Sequence, residues 1–215
     1  GVGSAALYHL AARGARVLGL DRFEAGHDRG SSHGQTRMIR QAYYEHPDYV
    51  PLIKHTYSLW EQLEQRCNHQ LYHQTGIIEV GPADGELVQG VLATAGEHDL
   101  PIELVESSDA ERRWPGFRVP PGYQLIFEQR SGYLLVEDCV VAHLELAVEL
   151  GAELQLDQVI TGWQADGDSY RVQTETGVFQ ADRLVITMGS WADTMLGDLG
   201  LEFTVLAKPL HWYPA

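Results

Sequence analysis

The first 21 residues constrain the fold more than any other stretch. Gly1-Val2-Gly3 leads into SAALYHLAAR (4–13), a run of good helix formers with Leu7, Leu10 and Ala11 on one face. Gly14 supplies a C-terminal stop, Val17 to Leu20 is a short apolar run of the kind found in buried parallel strands, and Asp21 stands at its end. Glycine turn, helix, strand and terminal acid, in that order, is the pattern of a dinucleotide-binding α/β unit. The glycines let the backbone approach a pyrophosphate and let helix and strand pack closely, while the helix N-terminus favours the phosphate charge. The acid accepts hydrogen bonds from the ribose. Two registers fit. Gly1 and Gly3 are the first two glycines with Ala6 third, or Gly3 is the third glycine. The second puts Asp21 18 residues after the last glycine and leaves a helix of natural length, so it is preferred. NAD and FAD binders share this pattern, and a helix that merely starts at a glycine turn has the same residues.

The chain has 215 residues, 44% of them hydrophobic, enough to bury a real core in one domain or somewhat more. No run approaches the roughly 18 consecutive apolar residues that cross a membrane, and no stretch of this sequence reads as a signal peptide. The formal net charge of −15, spread along the chain, argues against nucleic acid as a partner. Cys67 and Cys139 are too few for a disulfide framework and read as thiols in a reducing compartment, which places the protein in the cytoplasm. His69 and His73, four apart, would share a helical face, but no third ligand stands nearby and no metal is expected. The chain begins inside a motif and ends, at His211–Ala215, entering a strand. Both features predict truncation at each end.

Between these ends, Gly26 to Gly34 is a glycine- and serine-rich loop. Helices are predicted over 47–67, 86–98, 139–150 and 191–196. Strands are predicted over 77–80, 101–105, 124–128, 133–136 and, as a buried run, 184–187. Residues 112–123 read as turns. Residues 153–160, 162–166, 170–174 and 178–181 read as a meander. This is an α/β (α+β overall) order: a Rossmann-like nucleotide-binding domain with an inserted substrate domain. The expected division is 1–74 and 133–206 for the nucleotide-binding domain, 75–132 for the insertion, and 207–215 for a return to it.

GSSHGQTRMIRQAYY (30–44) separates the possible readings. It resembles the signature of the monomeric sarcosine oxidase and N-methyltryptophan oxidase family, within the D-amino-acid-oxidase-like flavoproteins. The resemblance covers nearly the whole chain through DYVPL (48–52), LW (59–60), TG (75–76), RWPG (113–116), SGYL (131–134) and ITMGSW (186–191). None of these is specific alone; their order and spacing are. His33, Arg37 and Arg40, spaced four and three apart, would fall on one face of a helix. A solvated basic face would look the same, but two arginines beside a glycine loop in an acidic chain invite an anion. A guanidinium grips a carboxylate with two parallel donors.

The resemblance implies FAD as cofactor and oxidation of a secondary amine to an imine, with oxygen reduced to hydrogen peroxide. It implies Arg40 against the substrate carboxylate, Arg37 as a cation against the flavin ring and His33 beside the flavin, which makes these three the catalytic candidates. It places Gly1, Gly3, Asp21, Arg22, Ser31, Ser32, Arg37, Val159, Gly189 and Trp191 on the cofactor. Ser32 departs from the family, where histidine is common. Val159 also reads as an ordinary strand residue, and Gly189 and Trp191 as simple packing. In that family the flavin-attaching cysteine and the oxygen-activating lysine lie in the second half, and neither Cys67 nor Cys139 matches. The partners implied are a small amine and oxygen, with the protein a monomer. The alternatives are a related D-amino-acid, glycine, pipecolate or sugar-amine enzyme, an NAD-dependent dehydrogenase, and a non-catalytic remnant.

Overall fold

Helix α1 (Val2–Ala12) stops where Gly14 adopts φ +79°. The N–H groups of Gly14 and Ala15 return to the carbonyls of Ala11 and Leu10, which satisfies the last turn and favours glycine at that position. In the computed structural model, which describes residues 1–213, the chain continues with β1 (Leu18–Leu20), β2 (Thr36–Ile39), α2 (Tyr49–Cys67), β3 (Tyr72–His73) and β4 (Ile77–Pro82). Then come α3 (Glu86–His98), β5 (Ile102–Val105), α4 (Ser107–Arg113), β6 (Tyr123–Glu128) and β7 (Gly132–Leu135). Helix α5 (Val136–Glu149), β8 (Glu153–Gln155), β9 (Ile160–Asp166), β10 (Ser169–Thr174), β11 (Val178–Ala181) and α6 (Ala192–Leu196) follow. Among the described residues no helix is long and apolar enough to cross a membrane, and no three His, Cys, Asp or Glu side chains gather as metal ligands.

The chain forms two units, dividing at Ser32/His33 and again within α5 at Ala142/His143. In the first unit, β1 and β8 pair in parallel, Leu18 opposite Glu153 and Leu20 opposite Gln155. Leu7 of α1 and Leu154 of β8 both lie against Gly19 of β1, so the helix packs its apolar side on this strand. The same unit holds the antiparallel sheet β11-β10-β9.

The second unit has two antiparallel three-stranded sheets, β2-β7-β3 and β4-β6-β5. Its main core joins Val50 of α2, Val88, Val91 and Ala95 of α3, and Ile126 of β6, with Ala42 and Leu100. A smaller cluster holds Val105, Ala110 and Leu125. The expected insertion, 75–132, lies inside this unit, whose own bounds are wider.

The α/β class is the one expected, with five local corrections. Residues 36–39 are a strand, not part of a helix carrying His33, Arg37 and Arg40. Thr36 and Ile39 are β-branched, and β7 supplies a hydrogen-bonding partner along the whole run. Residues 184–187 form no strand, and Val185 is 58% exposed; an apolar run becomes a strand only where a neighbour takes its ladder bonds, and among the described residues none does. Residues 153–155 leave the predicted meander to pair with β1, and the chain turns at Asp157, φ +55°. His69 follows the end of α2 and His73 lies in β3, so they share no helical face. Residues 211–213 are not in a strand, and 214–215, the rest of that predicted entry, lie outside the described residues.

Candidate functional site

In the first unit the candidate cofactor residues gather at two places. One is the N-terminus of α1. Gly1 is the N-cap and makes no side-chain capping bond, as glycine must, so the first N–H groups of the helix have no side-chain acceptor from the cap. A Cβ on Gly1 would stand 2.6 Å from Ser32 Oγ, and one on Gly3 would stand 2.7 Å from Thr187 Oγ1. Both glycines are therefore positions of close approach, and Gly3 sits inside the first helical turn, where the third glycine of the motif belongs. Thr187 lies within ITMGSW (186–191), but nothing local to it in the sequence reports its approach to Gly3.

The other place is the end of β1. The N–H of Asp21 continues the parallel ladder to Gln155 O, and its own carbonyl accepts the N–H of Gln158. Asp21 Oδ1 accepts the N–H of Phe23 at 2.9 Å, an Asx turn that fixes the carboxylate at the strand end. His27 Nε2 lies 3.8 Å from the same oxygen. The Arg22 guanidinium lies over the Phe23 ring, and Trp191 stands 6.0 Å from that ring. Gly189, at φ +55°, opens the short 3₁₀ turn Gly189–Trp191. The Val159 carbonyl accepts the N–H of Glu175. Ser31 is exposed and Ser32 half-buried.

In the second unit, the segment from His33 to Glu45 carries the charged candidates. Gly34 and Gln35 both adopt left-handed backbone, φ +95° and +69°. Glu137, in the first turn of α5, holds this turn: Oε1 accepts the Gly34 N–H at 2.5 Å and Oε2 the Gln35 N–H at 3.0 Å. Burial alone would raise the Glu137 carboxyl, but the Gln35 and Gly34 donors, with His33 nearby, outweigh it and hold the group below the ordinary carboxylate value. Arg37, within β2, donates from Nη1 to its neighbour's carbonyl, Thr36 O.

Arg40 follows β2 directly. Its side chain is 16% exposed, and its guanidinium lies over the rings of Tyr43 and Tyr44, 4.8 and 5.4 Å from their centroids. Nη1 donates to Glu79 Oε1 at 3.1 Å and Nη2 to both oxygens of Glu45 at 3.2 Å. Glu79 belongs to β4 and is 5% exposed, whereas Glu45 is 43% exposed. Beneath this group, buried Glu128 accepts the N–H groups of Gln41 and Ala42 and the hydroxyl of Ser131, which fixes the turn that presents Arg40. The structure thus brings Arg40 together with two carboxylates, and with neither His33 nor Arg37 on a shared helical face. Sequence reasoning missed Glu45, Glu79, Glu128 and Glu137. A lone acid within an apolar strand run, as in IIEVG (77–81) and LIFE (125–128), is the signal that marks Glu79 and Glu128.

Comparison with known proteins gives these two groups a context. The chain is 40% identical over 213 residues to monomeric sarcosine oxidase of Streptomyces avermitilis, covering 99% of the chain and 56% of that protein. It is 34% identical over 214 residues to N-methyl-L-tryptophan oxidase of Yersinia pestis, covering 57% of that protein. Among solved structures, NikD, an unusual amino acid oxidase essential for nikkomycin biosynthesis, in its open form superimposes with a TM-score of 0.83 at 30% identity, covering 93% of this chain and 51% of that one. The chain therefore spans about half the length of the relatives it matches. The family profile described as FAD dependent oxidoreductase matches residues 1–212, and the chain belongs to that family.

Proposed function

We propose that the whole protein oxidises a secondary amine bearing a carboxylate, sarcosine or another N-methyl amino acid, with FAD as cofactor. The observation that carries the substrate class is Arg40: a largely buried guanidinium, braced by two tyrosine rings, with one edge paired to a half-exposed carboxylate that a substrate carboxylate can replace. The first unit fits FAD. Gly1 and Gly3 are places where a side chain would collide, the α1 N-terminus has no side-chain cap, and Asp21 holds a half-exposed carboxylate at the end of β1.

When bound, FAD would supply the two-electron oxidation of the C–H bond beside nitrogen, with oxygen as the final acceptor and hydrogen peroxide as its product. Arg40 binds the substrate carboxylate and so aims that C–H, an orientation effect. Arg37 would supply a positive charge toward the flavin in this reading. His33, next to the turn that Glu137 holds, would act beside the flavin in this reading. Ser31, Ser32, Arg22, Val159, Gly189 and Trp191 complete the cofactor contacts in this reading. The imine product hydrolyses after release. Residues 1–74 and 133–206 are assigned to the FAD-binding domain and 75–132 and 207–215 to the substrate domain. The protein acts on a small amine and oxygen, as a cytoplasmic monomer.

Anaerobic addition of sarcosine to the flavin-loaded whole protein tests this. Loss of the oxidised-flavin absorbance, with peroxide formed on admitting air, is expected. Bleaching by glycine or a D-amino acid but by no N-methyl amino acid would move the protein to another substrate class, and absence of bound flavin would overturn the reading.

A further inference from the structure

Glu79 is a buried acid whose charge the fold only half accommodates. It sits in β4 opposite Ile126 of β6. Oε1 takes one hydrogen bond from Arg40, while Oε2 is shielded from solvent and has no hydrogen-bond partner. An ionised carboxylate oxygen in that state is costly, and a neutral acid much less so. The charged groups facing it are Arg40 and Glu45, from the segment after β2, and Glu128, from β6. Glu128 takes its three donors from Gln41, Ala42 and Ser131 and none from Arg40. Arg40 is thus one cation beside three carboxylates, two of which it contacts. The Glu79 carboxyl is pushed up to about 7, by burial first, with Arg40 opposing and Glu128 and Glu45 adding to the rise.

We propose that Glu79 is a positioning residue for Arg40, and that a substrate carboxylate engaging Arg40 brings a proton onto Glu79. The proposal rests on the reading of Arg40 as the carboxylate clamp. The incoming carboxylate takes the Nη2 edge from Glu45 and adds a negative charge beside Glu79. Glu79 then takes one proton from solvent, so that one carboxylate and one proton enter together and no other bond forms. The charge of Arg40 is left to the substrate. By linkage, carboxylate affinity falls as pH rises above about 7, because the proton must be drawn from a scarcer supply. Glu79→Gln keeps the shape and an acceptor for Arg40 and removes the titration.

Calorimetric titration of propionate into the flavin-loaded whole protein reads this directly, since propionate has a carboxylate and no amine to titrate. At pH 8, in two buffers of different ionisation enthalpy, uptake approaching one proton per propionate is expected. The dissociation constant should rise towards tenfold per pH unit above about 7. Glu79→Gln should bind propionate with no uptake and a flat pH dependence. Because the uptake is read on the unaltered protein, it decides the matter even if that variant folds poorly. Binding that Arg40→Lys weakens but that takes up no proton would overturn the role of Glu79 and leave Arg40 as the clamp. Binding indifferent to Arg40→Lys would remove both.

Discussion

Glu137 and Gln35, 102 residues apart in the chain, are joined by the Gln35 N–H lying 3.0 and 3.2 Å from the two oxygens of one carboxylate. Together with the Gly34 N–H, this fixes two consecutive left-handed residues directly after His33. Bonds from backbone donors to a charged acceptor are stronger than neutral ones, but water reaches this carboxylate and weakens them. Glu137→Ala should cost about 1 kcal/mol and speed amide exchange at Gly34 and Gln35. Because the folded carboxyl is held below its ordinary value, this contribution is present at neutral pH and lost as pH falls through that lowered value. Exchange measured by NMR against pH checks it, and unchanged exchange in the variant would show that the turn holds itself.

Gly3 faces Thr187, and a methyl on Gly3 would arrive 2.7 Å from Thr187 Oγ1. Overpacking of that kind costs about 1–3 kcal/mol. Gly3→Ala should lower flavin content, and Gly3→Ala with Thr187→Ala should recover part of it, since the obstructing hydroxyl is gone. Flavin-to-protein absorbance ratios decide between recovery and further loss.

Asp21→Asn separates the two uses of that side chain. The Asx turn to Phe23 needs only an oxygen acceptor, which asparagine keeps. A ribose needs the stronger acceptor, so the variant should fold with an unchanged melting temperature as apoprotein yet retain less FAD. Normal flavin retention would show that Asp21 does not hold the ribose.

Glu79 should also leave a mark on stability. Its folded value of about 7 lies above its unfolded one. Its contribution is therefore greatest below the unfolded carboxylate value, and stability falls as pH rises towards about 7. Relative to Glu79→Gln, denaturant unfolding of the native protein should lose on the order of 2–3 kcal/mol between pH 4.5 and pH 7.5. Parallel pH profiles for the two proteins would contradict this.

The extent to which the sequence is legible varies with how local the determining forces are. Helix α3 has the bounds that its pattern predicts, because periodic apolar residues and good helix formers agree across Glu86–His98. The strands of the β11-β10-β9 sheet were marked by turn residues at Asp166–Gly167 and Thr176–Gly177. The spacing of His33, Arg37 and Arg40 misled, because the period of a few charges is not the period of a buried face; pairing with β7 decides the conformation of 36–39. A family signature marks Arg40, but its carboxylate partners include Glu79, 39 residues on. Nothing local to either residue reports that pairing.

Arg40 holds either the substrate carboxylate or only its own protein partners, and the two cases separate by experiment. Arg40→Ala strands Glu79 and Glu45, so Arg40→Lys, which keeps the charge and loses the fork, is the cleaner variant. Steady-state oxygen consumption should be measured with sarcosine and with N-methylpropylamine, which has no carboxylate. For sarcosine, Arg40→Ala should raise the apparent KM by roughly tenfold or more, consistent with losing a charge-assisted pair worth about 2–5 kcal/mol, and Arg40→Lys should recover only part. For N-methylpropylamine both variants should behave nearly as the unaltered protein does. Equal losses on the two substrates would contradict the account and assign Arg40 to the fold or the cofactor instead.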